Sequence, residues 1–137
     1  MLDKKCLLIF AKLPLPGKVK TRLSPPLTSE EAAELYRCLL NDTLIFTKDI
    51  KGVDRFIVCY PSIMESFFQE LSKTHNIDLL DQKGIDLGKR MENAMNLLFY
   101  RGYDKVIIIG SDSPNLPVQY IKEAFFKLNK KEIVIGP

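Results

Sequence analysis

The chain of 137 residues has the length of one ordinary domain, with 46% hydrophobic residues to bury a core and 27% charged residues to solvate its surface. Its formal net charge of +3 is too small to indicate nucleic acid, and no apolar stretch approaches the ~20 residues of a membrane span. Met1-Leu2-Asp3-Lys4-Lys5 runs straight into strand-like residues without a small-residue cleavage site, so the expected location is the cytoplasm.

Cys6-Leu7-Leu8-Ile9-Phe10-Ala11 is an unbroken apolar run, the pattern of a buried first strand. It turns abruptly into Lys12-Leu13-Pro14-Leu15-Pro16-Gly17-Lys18-Val19-Lys20-Thr21-Arg22, a loop stiffened by proline, with Gly17 permitting a tight turn. Thr28-Ser29-Glu30-Glu31 then reads as a capping box. The helix behind it carries Ala32, Leu35, Tyr36, Leu39, Leu40, Thr43 and Phe46 at 3.6-residue spacing and is expected to reach about Asp49.

Asp54–Tyr60 is the second strand, and Pro61 is placed as the first residue of a second helix with Met64, Phe67, Phe68 and Leu71 on its face. Ile77-Asp78-Leu79-Leu80 is a weaker third strand. The loop 81–88 leads to a third helix with Leu87, Met91, Ala94, Met95 and Leu98 on one face. Lys105–Gly110 is the strongest strand pattern, a β-branched run expected to be buried on both faces. Ser111–Pro117 follows as a turn, then a helix with Ile121, Ala124, Phe125 and Leu128, then a short strand at Ile133-Val134-Ile135.

This alternation predicts a three-layer α/β/α domain with a mostly parallel, doubly wound sheet. Ligands of such sheets collect at the carboxyl ends of the strands, near the switch in strand order. Both unusual loops, 12–22 and 111–117, follow strand carboxyl ends and are expected to face one another across a cleft.

Three cysteines, far apart in predicted buried elements and without a C-x-x-C pair, read as small core residues in a reducing compartment. With one histidine, His75, the chain lacks a nitrogen and sulfur set for zinc, so any metal is expected to be oxygen-bound. Gly17-Lys18-Val19-Lys20-Thr21 lacks the second glycine of a P-loop, and no G-x-G-x-x-G follows the first strand. Tyr60, His75 and Tyr103 form no constellation, and no nucleophile–base arrangement is present.

Lys12, Lys18, Lys20 and Arg22 are either a solvated surface loop or a di- or triphosphate cradle; a strand-to-helix turn favours the cradle by aiming backbone donors at the same place. Asp112 is either a turn residue or a hard oxygen ligand for Mg²⁺ or Mn²⁺ shared with substrate phosphates. Around Gly84, Asp86 and Gly88 the local chemistry favours a plain turn with Asp86 as helix cap. Gln82, just before, either reads a base edge or does nothing.

Phe10 to Leu23, Gln82 with Asp86-Leu87-Gly88-Lys89-Arg90-Met91, and Gly110-Ser111-Asp112-Ser113-Pro114 with Leu116 occur in the order of one family. Over essentially its whole length the chain resembles the glycosyltransferase-like proteins of bacteria and archaea also described as radical-SAM/selenodomain-associated transferases. These are related in fold to 2-phospho-L-lactate guanylyltransferase and the molybdenum-cofactor guanylyltransferases. The resemblance implies a GT-A, nucleotide-diphospho-sugar transferase fold that takes a nucleotide or nucleotide-sugar donor and an unidentified small-molecule acceptor.

On that resemblance Lys12, Lys20 and Arg22 hold phosphates, Gly17 shapes the loop, and Gln82, Asp86 and Gly88 line the nucleoside side. Asp112 is the metal-binding aspartate, and Lys20, Arg22 and Asp112 are the catalytic residues, acting by positioning and charge stabilisation. In that family the strand ending in Gly-Pro is followed by Asp-Gly-Gly-Tyr and an acceptor-side segment. Here the sequence stops at Pro137, so the resemblance predicts a single nucleotide-binding domain over 1–137 without that segment. An open sheet edge there allows a homodimer. The alternatives are a guanylyltransferase acting on a phosphorylated small acid, or a non-catalytic nucleotide-binding domain.

Overall fold

The computed structural model describes residues 3–20, 26–111 and 118–128; the strand predicted at 133–135 lies outside them. Chain order is β1 (Lys5–Lys12), α1 (Ser29–Thr47), β2 (Val53–Tyr60), α2 (Ser66–His75), β3 (Asp78–Asp81), α3 (Leu87–Tyr100), β4 (Lys105–Gly110) and α4 (Val118–Lys127). The four strands form one parallel sheet in the order β3-β2-β1-β4. The apolar run of β1 is central: Lys5–Lys12 pairs with Val53–Tyr60 on one side, and Lys5–Phe10 pairs with Lys105–Gly110 on the other.

Strand alternation divides the core into two halves. Leu7, Ile9 and Ala11 of β1, with Ile57, Cys59 and Ile109, pack under Tyr36, Leu40 and Leu44 of α1, Phe68 of α2, and Ile121 and Phe125 of α4. Cys6, Leu8 and Phe10, with Phe56, Val58 and Val106, pack under Ala94 and Leu98 of α3. The result is the predicted three-layer arrangement. Leu7, Leu8 and Ile9 are fully buried, each contributing about 1.5–3 kcal/mol of transfer free energy.

The capping box forms as read: Thr28 Oγ1 accepts from Glu31 N–H and Glu31 Oε1 accepts from Thr28 N–H, both at 3.0 Å. The α1 face is rotated from the expected one. Leu35 is exposed, whereas Ala33, Leu44 and Thr47 are buried. Thr43 and Thr47 tolerate burial because each hydroxyl donates to the carbonyl one turn back, at 2.9 and 2.7 Å. Cys38 correspondingly faces solvent, not the core.

Pro61 does not start α2. Ser62 Oγ accepts from Met64 N–H at 3.0 Å and Asp81 Oδ1 accepts from Ile63 N–H at 2.7 Å, so these donors close a turn and the helix begins at Ser66. Met64 and Leu87, expected on helix faces, are exposed before α2 and at the first position of α3. Along β4, Ile107 and Ile108 are only half-buried.

Candidate functional site

The order β3-β2-β1-β4 places the topological switch between β1 and β4. The fold closes that point with one side chain. Tyr36 of α1 lies buried beneath it; its hydroxyl accepts from the Lys12 N–H at 2.8 Å and lies 2.6 Å from Ser111 Oγ. The ends of β1 and β4 therefore meet at one phenol oxygen; residues 112–117 of the loop expected across a cleft lie outside the described residues.

The loop after β1 is anchored rather than loose. Leu13 N–H donates to the Tyr60 carbonyl at 2.8 Å, extending the β1–β2 ladder by one bond. Lys18 N–H donates to the Leu15 carbonyl at 3.0 Å, with Pro16 and Gly17 at the corners of the turn and Gly17 at φ 78. That is the residue pair a type II turn demands, glycine taking the left-handed corner. Pro14 and Val19 are buried, Val19 within the α1 side of the core. Lys12 and Lys18 are exposed and Lys20 half-buried around this anchor, Lys20 in a left-handed conformation at φ 52. Arg22 and Asp112 lie outside the described residues.

On the β2–β3 side the predicted residues have structural roles of their own. The Gln82 side-chain amide donates to the Ala11 and Val58 carbonyls, at 3.1 and 3.0 Å, clipping the ends of β1 and β2. Asp86 caps α3, its Oδ1 accepting from Lys89 N–H at 2.8 Å. Gly88 follows in the first turn of α3, where an added Cβ would meet only Asp86 Oδ1, at 3.6 Å. Lys12, Gly17, Lys20, Gln82, Asp86 and Gly88 thus all lie at or just beyond the carboxyl edge of the sheet.

Sequence reasoning misses a pair at the same edge. The Arg90 guanidinium sits 4.5 Å above the Tyr60 ring, and its Nε donates to the Gly84 carbonyl at 3.1 Å. Gly84 allows this approach: at φ 150, a Cβ there would lie 2.8 Å from Arg90 N. Arg90 belongs to the Asp86–Met91 motif, but Tyr60 is far from it in the chain. Tyr103 and His75 have partners elsewhere, Tyr103 donating to Asp54 at 2.5 Å and His75 Nε2 lying 3.0 Å from Asn41 Oδ1.

The donors available at this edge are hard. The thiol there, Cys59, is buried, and burial pushes it up to about 12, so it stays protonated. Among the described residues no three His, Cys, Asp or Glu side chains converge.

Residues 44–137 match the family model described as "Uncharacterized protein conserved in bacteria (DUF2064)". The chain belongs to the DUF2064 family. No curated protein matches it. Among solved structures this DUF2064 chain is similar to a "putative nucleotide-diphospho-sugar transferase" from Desulfovibrio desulfuricans G20. The two are 35% identical with a TM-score of 0.82, over 94% of this chain and 56% of that one. The DUF2064 chain therefore has the fold of that protein and spans little more than half its length. No helix among the described residues is long and apolar enough to cross a membrane.

Proposed function

We propose that this DUF2064 chain binds a nucleotide or nucleotide-sugar donor at the carboxyl edge of its sheet and serves a glycosyl- or nucleotidyl-transfer reaction. The observation that carries this reading is the junction at Tyr36. It draws the start of the cationic loop and the start of the 111–117 turn to one oxygen at the switch point. The description of the solved neighbour as a nucleotide-diphospho-sugar transferase supports the donor class. It also accords with the resemblance to the radical-SAM/selenodomain-associated transferases.

In this reading Lys12, Lys20 and Arg22 neutralise the diphosphate, with Gly17 and buried Val19 holding the loop to shape. Such fixed cations stabilise charge as it develops on a leaving diphosphate and need no protein nucleophile. Asp112, with phosphate and water oxygens, would hold Mg²⁺ or Mn²⁺, which supplies further charge neutralisation when bound. Lys20, Arg22 and Asp112 are the residues assigned to catalysis.

The test is a thermal-shift panel of nucleoside triphosphates and nucleotide sugars, with and without Mn²⁺, on wild type, Lys20→Ala and Asp112→Ala. A ligand at ~100 times its dissociation constant adds about 2.7 kcal/mol of stability. A shift in wild type that shrinks in Lys20→Ala, and whose metal-dependent part vanishes in Asp112→Ala, is the expected result. Shifts confined to guanosine compounds would turn the reading toward a guanylyltransferase. A shift that survives intact in Asp112→Ala would favour a non-catalytic nucleotide-binding domain. The absence of any shift would sink the reading.

A further inference from the structure

The carboxyl edge of the sheet is not uniform. At the end of β1 it is cationic, with Lys12, Lys18 and Lys20. At the ends of β2 and β3 it is aromatic and apolar: Tyr60 is 40% exposed, and Met64 (79%), Ile85 (93%) and Leu87 (59%) stand in or beside the connections to α2 and α3. A single exposed apolar side chain needs no explanation, but several large ones gathered around strand ends of one sheet mark a binding surface. In this half Lys83 and Lys89 stand beside Asp81, Asp86 and Glu92, and the Arg90 guanidinium lies above the Tyr60 ring, tied to the Gly84 carbonyl.

We propose that Tyr60 and Arg90 form the platform for the nucleobase of the ligand, while the cationic loop beyond β1 takes its phosphates. This rests on the nucleotide reading above and assigns that ligand's other end. Three observations separate a base from a second phosphate. The guanidinium is held in place by the π face of Tyr60 and, through Nε, by a carbonyl, so the pair presents a fixed planar support. Around it Met64, Ile85 and Leu87 are exposed and apolar, and Lys83 and Lys89 are offset by Asp81, Asp86 and Glu92, whereas the loop after β1 carries three lysines and no acid; the balanced half suits a flat, weakly hydrated ring and not a dianion. Aromatic rings and guanidinium planes are also the usual supports for an unpaired base.

The spacing agrees. Tyr60 is the direct register partner of Lys12, about 4.8 Å away across the sheet. One nucleotide can therefore reach both halves of the edge. Gln82 and Asp86, assigned to the nucleoside side on resemblance, each give one polar atom to the backbone, Nε2 and Oδ1, and the Tyr60–Arg90 pair adds a planar contact beside them.

The experiment measures binding of inorganic pyrophosphate and of the adenosine, guanosine, uridine and cytidine diphosphates to the chain by calorimetry. Wild type, Lys20→Ala, Tyr60→Leu, Arg90→Gln and Arg90→Lys are compared, with melting curves confirming that each is folded. Wild type is expected to hold at least one nucleoside diphosphate more tightly than pyrophosphate. Arg90→Gln and Tyr60→Leu should weaken that nucleotide about tenfold, the loss of one stacking contact, and leave pyrophosphate within about threefold. Arg90→Lys should resemble Arg90→Gln, because a point charge does not replace a plane. Lys20→Ala should weaken both ligands. Equal loss of pyrophosphate and nucleotide in Arg90→Gln would make Arg90 a phosphate group and overturn the platform. Unchanged nucleotide binding in the Tyr60 and Arg90 variants would overturn it while the nucleotide reading stands. A wild type that binds neither ligand would remove both.

Discussion

Tyr36 Oη and Ser111 Oγ lie 2.6 Å apart in a buried position between α1 and the end of β4. Since the same phenol oxygen accepts from Lys12 N–H, its proton can be donated to Ser111 Oγ, and one hydroxyl satisfies groups at two strand ends. A buried polar group with its partner removed costs more than the bond itself was worth.

Tyr36→Phe removes only that oxygen and strands the Lys12 N–H and the Ser111 hydroxyl. We expect a loss of about 1–3 kcal/mol in urea unfolding, together with weaker binding of any diphosphate ligand. If Tyr36→Phe proves as stable as wild type, the junction does not hold the two ends together.

Gly84→Ala and Gly88→Ala separate structural from ligand-facing glycine. At Gly84 a Cβ would strike Arg90 N at 2.8 Å and the Lys89 carbonyl carbon at 2.9 Å, in a positive-φ conformation. A destabilisation of about 1–3 kcal/mol is expected. At Gly88 the nearest atom is 3.6 Å away, and alanine improves helix propensity, by up to about 1 kcal/mol in a helix interior. Gly88→Ala should therefore melt at or above the wild-type temperature. Nucleotide affinity then reads out directly whether a ligand approaches that backbone; unaltered affinity would remove Gly88 from the site.

His75 is the single histidine of the chain, so its titration is open to observation. Burial, then the nearby charges of Arg55 and Lys48, hold its pKa below the ordinary 6.5. The folded state thus binds the proton less readily than the unfolded state. Its contribution is fully present above pH 6.5 and is lost as pH falls below that value toward the lowered folded pKa. Urea midpoints measured from pH 8 to pH 5 should decline through this window, and His75→Gln should flatten the decline. Equal slopes for the two proteins would refute the assignment.

Thr28→Ala removes the Oγ1 that accepts from the Glu31 N–H, the side-chain half of the capping box at α1, and keeps the backbone N–H that donates to Glu31 Oε1. The expected cost is about 1 kcal/mol, a fall in melting temperature of roughly 4 °C for a chain this size. Glu31→Ala should reproduce part of it, since the Thr28 contacts that lower its pKa would be lost as well.

What the sequence disclosed were features written into neighbouring residues. The run Cys6–Ala11, the Thr28/Glu31 box and the Pro16-Gly17 turn each carry their structural cause within a few positions. The errors arise where the cause is distant. Pro61 fails to open α2 because Asp81, on the next strand, takes the Ile63 N–H. The face of α1 turns because Thr43 and Thr47 satisfy themselves within the helix, and Arg55 of β2 then donates to Thr47 Oγ1 at 3.0 Å and to the Leu44 carbonyl at 2.6 Å. The Tyr60–Arg90 contact is of the same kind: it exists only because Gly84 lets its loop fold onto the first turns of α3. In the candidate site, charge was legible from composition in order, whereas the partner of each side chain required the sheet.

The distribution of cysteines has a practical consequence. Cys6 and Cys59 are both fully buried, and burial raises each thiol to about 12, whereas Cys38 is exposed on α1. Thiolates are the reactive species, so a maleimide or disulfide reagent should modify Cys38 in the native protein and reach the other two only when the sheet opens. Without a single introduced mutation, the chain thus carries a labelling handle on one helix and two chemical clocks for the opening of β1 and β2.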